Sequence, residues 1–89
     1  MTHLEFADFH NRHIKFKLAG KPELLTGVVS SLLYARILDK GINPNIYAYI
    51  PTAKMLEYKT AEDRGDQDTM LRVEQQVDIT EIEWAEIIN

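Results

Sequence analysis

At 89 residues, with 45% hydrophobic and 27% charged side chains, the chain is long enough for one packed domain (1–89) and too short for a second core. The absence of cysteine excludes disulfide stapling, thiolate chemistry and cysteine-built zinc sites. A net charge of −4 argues against a general nucleic-acid binder, which works by neutralising phosphates.

The charge is uneven. Residues 1–40 carry six Lys/Arg against four acids, and residues 41–89 carry four against ten, which leaves room for a local basic patch. No run approaches the roughly 18 apolar residues of a membrane span. Met1–His13 lacks the basic region and apolar core of a secretory signal. The chain therefore reads as cytoplasmic, with no membrane partner.

In chain order, Leu4–Arg12 reads as a short helix (4–12) with Thr2 as its N-cap and Leu4, Phe6 and Phe9 on an inward stripe. Its two turns would not persist alone in water, so it must dock. Ile14, Phe16 and Leu18 then alternate with His13, Lys15 and Lys17, the period of a strand with one buried face. Ala19-Gly20-Lys21-Pro22 is a turn. A second strand follows from Glu23, with Gly27 placed to allow a bend, and it extends to about Tyr34. A helix from Ser31 to Asp39 competes with its far end.

Asp39–Asn45 is dense in turn residues, and Ile46–Ile50 is a clear strand. If Ile46, Ala48 and Ile50 face the core, Tyr47 and Tyr49 stand together on the outer face; the alternative is that the two tyrosines pack beneath a helix. Ala53–Thr60 is either one or two helical turns or an extension of that strand past Pro51. Glu62–Thr69, the most polar stretch, reads as an exposed charged loop (62–69), and Met70–Val73 as resumed strand reaching Val77 and Ile79. The tail fits either a capping box at Thr80–Glu83 or a single 3₁₀ turn followed by a last strand, Trp84–Ile88, with Trp84 in the core.

This order of elements resembles the small SH3-like barrels and, within them, the Sm-like proteins. The resemblance is carried by Ile14, Phe16 and Leu18, by Gly20, by Leu25-Thr26-Gly27-Val28-Val29, and by Ile79, Ile82 and the terminal Trp84-Ala85-Glu86-Ile87-Ile88. It implies a mainly β fold, a barrel of about five strands behind a short N-terminal helix, and assembly into homo-oligomers. The RNA-binding residues of the Sm type are absent. Ser30-Ser31-Leu32-Leu33-Tyr34 stands where the Asp and Met-Asn would be, and Gln76-Val77-Asp78-Ile79 where an Arg-Gly or Lys-His pair would be.

Chemistry-bearing constellations are few. His10 and His13 would share a face only if the first helix reached that far, and no further ligand joins them, so no metal is expected. Asp63, Asp66, Asp68 and Glu74 fail the calcium-loop pattern, because Gly65 occupies a ligand position and Asp68 the glycine position. No nucleophile elbow or phosphate-cradling loop is present, and no catalytic residue or cofactor is assigned. The expectation is a non-enzymatic binding or self-assembly module that uses an exposed strand edge or an aromatic face. Its partner would be a second copy or another protein, and the candidate contact residues are Tyr47, Tyr49, Lys15 and Lys17. Single-stranded RNA is the alternative partner.

Overall fold

The computed structural model describes residues 1–30 and 45–88. The expectations for Ser31–Pro44, including the far end of the second strand and most of the turn cluster, lie outside them. The fold is mainly β. Five strands, β1 (His13–Leu18), β2 (Leu24–Ser30), β3 (Ile46–Pro51), β4 (Gln75–Asp78) and β5 (Ile82–Ile87), form one antiparallel sheet in the order β4-β3-β2-β1-β5.

The sheet does not close into a barrel. Closure needs a ladder between β4 and β5, and among the described residues these two strands are the sheet's edges. β4 has only four residues, and the 3₁₀ turn Ile79–Glu81 carries the chain directly from one edge to the other. The N-terminal residues tie this turn down. The Met1 amino group donates to the carbonyls of Ile79 and Ile82 at 2.9 and 3.1 Å.

Helix α1 (His3–Phe6) is shorter than the span 4–12 and starts one residue earlier, with Thr2 as its N-cap as read from the sequence. The Thr2 hydroxyl accepts from Glu5 N–H, and Glu5 accepts in return from Thr2 N–H, a reciprocal capping box. That returning bond, with the Thr2 hydroxyl, holds the Glu5 carboxyl below its usual range. Only Phe6 of the expected stripe is fully buried; Leu4 is 86% exposed. The helix ends early because the chain turns through Asn11 at φ 63° to enter β1.

The hairpin β1–β2 forms as read, with Phe16 opposite Leu25 and Ile14 opposite Gly27. What Gly27 permits is close approach. A Cβ there would stand on the Ile50 carbonyl oxygen and 2.7 Å from Tyr49 Cε1.

Both faces of the sheet are covered at β3. One face carries the main core, in which Phe6, Ile14, Phe16, Val29, Tyr49 and Ile79 meet. Ile50 lies on the other face with Tyr58 and Val73, which belong to two helices, α2 (Met55–Arg64) and α3 (Gln67–Val73). Segment 62–69 is therefore not a loop, and Met70–Val73 is not a strand. Gly65 at φ 68° caps α2 by donating to Ala61 O, and the Asp66 side chain accepts from Thr69 N–H to start α3. Polarity along Glu62–Thr69 reflects the wet side of a helical hairpin. At the tail, the 3₁₀ turn followed by a strand is the alternative that forms.

Candidate surface on the outer face of β5, β1 and β2

The register of the sheet sorts its outer face into rows. Lys17 of β1 lies between Trp84 of β5 and Leu24 of β2, and Lys15 lies between Glu86 and Thr26. The next row, His13 and Val28, continues to Ile50 and runs under α2. His13 Nε2 lies 2.7 Å from Thr52 Oγ1, in the 3₁₀ turn (Thr52–Lys54) that leads into α2. The first two rows stay open among the described residues. Trp84 is 38% exposed and Leu24 53%.

Placing Trp84 on this surface corrects its assignment to the core. Between Lys17 and Leu18 the ladder with β5 shifts register, so that Lys17 faces Trp84 and Leu18 faces Ile82. The extra residue, Glu83, directs both carboxylate oxygens to Lys17 Nζ at 3.1 Å. Such a bulge re-aims side chains on one strand. Here Ile82 stays in the core, while Trp84 opposes Lys17 on the outer face.

The two lysines, named as contact candidates from sequence, do come together, each beside an acid of β5. Lys17 pairs with Glu83, and Lys15 Nζ lies 3.9 Å from Glu86. Solvent-exposed pairs of this kind add about 0.2–1 kcal/mol to stability, so their main consequence is local neutrality. The patch is a checkerboard, with cations on β1 and anions on β5.

Tyr47 and Tyr49, the other candidates, are not part of this surface. Of the two readings open to them, packing beneath a helix describes Tyr47, and core burial describes Tyr49. The Tyr47 ring meets Phe6 edge-on at 5.6 Å, and its hydroxyl lies 3.0 Å from His3 Nδ1. Tyr49 is 4% exposed, stands edge-on to Phe16 at 5.2 Å and donates its hydroxyl to Thr26 O at 3.0 Å. Burial raises the Tyr49 hydroxyl above its ordinary value.

The histidines do not assemble into a metal site among the described residues. α1 ends before His10, and His13 already belongs to β1. A second concavity, of about 460 Å³, lies between α2 and the β2–β3 half of the sheet; Val28, Ile50, Met55 and Leu56 line it. Asn11, Ser30, Tyr58, Lys59 and Glu62 complete the lining.

Among the described residues no helix is long and apolar enough to cross a membrane. No protein-family model, curated protein or solved structure matches this chain.

Proposed function

We propose that this chain is a non-enzymatic association module whose contact surface is the outer face of β5, β1 and β2, centred on Trp84. The observation that carries the reading is the open row Trp84–Lys17–Leu24, in which two exposed apolar side chains flank the stem of a lysine. Tryptophan is enriched at the energetic centres of protein interfaces, and a rim of paired charges suits such a centre. Lysine stems also cover apolar surface while their ammonium groups stay in water.

Single-stranded nucleic acid is the second reading, although the RNA-binding residues of the Sm type are absent. Lys15 and Lys17 beside an exposed indole form the minimum of a base-stacking platform. Against it stand Glu83 and Glu86, which neutralise those lysines before a phosphate arrives.

Trp84 is the only tryptophan, so its emission reports on this face alone. Raising protein concentration from micromolar to millimolar should shift that emission to the blue and shield it from a soluble quencher. Homopolymer RNA at low salt should leave it unchanged. Emission that responds to RNA and ignores protein concentration would reverse the order of the two readings.

A further inference from the structure

We infer that the partner of this face is a second copy of the chain, packed sheet against sheet about a two-fold axis that runs along the strands between β5 and β1. The inference rests on the association reading above and adds the partner and the geometry. On the open face, cations and anions are segregated by strand, with Lys15 and Lys17 on β1 and Glu83 and Glu86 on the adjacent β5. A partner that matches the pattern must present the opposite alternation at the spacing of neighbouring strands, about 4.8 Å.

The chain presents that alternation itself when turned over. Rotation by 180° about an axis parallel to the strands lays each β5 over β1 of the other copy and keeps the rows in step. Glu86 then stands over Lys15 of the second copy, and Trp84 with Glu83 over Lys17 of the second copy. Each carboxylate gains a second cation, and each indole gains an ammonium group over its ring face. Packing of the two sheets in this aligned sense is a standard arrangement, with the residual angle set by their twist. A nucleic acid offers anions only and satisfies half of the pattern. An uncharged apolar surface would leave all four charges without new partners.

The test is charge reversal followed by mixing. Lys15→Glu makes the four-charge patch acidic and Glu86→Lys makes it basic, so neither variant matches itself, while each matches the other. Sedimentation of the 89-residue chain should show a concentration-dependent dimer. Each variant should lose about tenfold or more in self-association, and an equimolar mixture of the two should recover it. Lys17→Glu and Glu83→Lys form a second pair with the same expectation, and far-UV circular dichroism confirms that each variant folds. A monomer at millimolar concentration, or variants that dimerise as well as the parent chain, would overturn the inference. Dimerisation that shields Trp84 but shows no rescue on mixing would overturn this geometry and leave the association face standing. Dimerisation that leaves Trp84 open to quencher would remove both.

Discussion

At the scale of single residues, three positions carry consequences out of proportion to their size. Gly27 lies in β2 against β3, and its missing Cβ is what lets the Ile50 carbonyl and the Tyr49 ring approach. Gly27→Val should cost about 3 kcal/mol or more in urea unfolding; an unchanged midpoint would show that β3 yields without penalty. Tyr49 is held neutral by burial, so its hydroxyl ionises above the ordinary value near 10.0. The neutral form is the one the fold prefers. Its stabilisation is therefore complete below the unfolded-state value and is lost as pH rises through the folded one. Tyrosinate absorbance should show a late-titrating component that Tyr49→Phe removes, at a cost of about 1 kcal/mol for the lost bond to Thr26. Asp66 is shifted the other way. Its Thr69 side-chain bond, then the Thr69 backbone bond, hold the carboxyl below 3.8. The cap is intact above that value and weakens as pH falls through the lower folded one. Protection of the Thr69 amide, measured against its intrinsic exchange rate at each pH, should fall in acid, and in Asp66→Ala it should be low at every pH.

At the scale of elements, a buried hydrogen bond ties the helical hairpin α2–α3 together at its exit into β4. Tyr58 of α2 donates to Glu74 Oε1 at 2.9 Å, just where α3 hands over to β4. Tyr58→Phe should destabilise the chain by about 1–3 kcal/mol, with amide exchange rising first across Met55–Val73. Equal acceleration across β1 and β2 would show that the hairpin and the sheet open as one unit.

The β1–β2 hairpin was legible because β1 alternates between one wet and one dry face, a pattern that survives in the structure, and because a Gly-Lys-Pro turn separates it from the apolar run of β2. β3 was legible as a strand but not in its facing. Tyr49 packs into the main core and Ile50 beneath α2, so alternation no longer separates inside from outside. The first turns of α2 were legible as the helical alternative for Ala53–Thr60; the rest of the α2–α3 hairpin was hidden by its polarity, although Gly65 after a basic residue and Asp66 three before Thr69 are a helix stop and a helix start. Trp84 was missed because a bulge at Glu83 resets the register, and nothing in the local sequence announces a bulge. The lysines could be named from the sequence; their acidic neighbours across the ladder required the pairing of β1 with β5.

At the scale of the whole molecule, the described residues form an open sheet whose two faces they cover unequally. The N-terminal segment and the 3₁₀ turn fill one side, and α2–α3 shelters the β3 half of the other. Among the described residues, the β5–β1–β2 half of that second side is left with a tryptophan, a leucine and a neutral checkerboard of charge. Association through this half should be nearly insensitive to Tyr47→Phe, which changes only the underside of the sheet, and strongly weakened by Trp84→Ala, read by light scattering. The most direct test of the account is the accessibility of Trp84 to a neutral quencher, measured from micromolar to millimolar protein. The account predicts that quenching falls with concentration in the parent chain and stays high throughout in Lys15→Glu. Quenching that is equally strong at every concentration in both would contradict it.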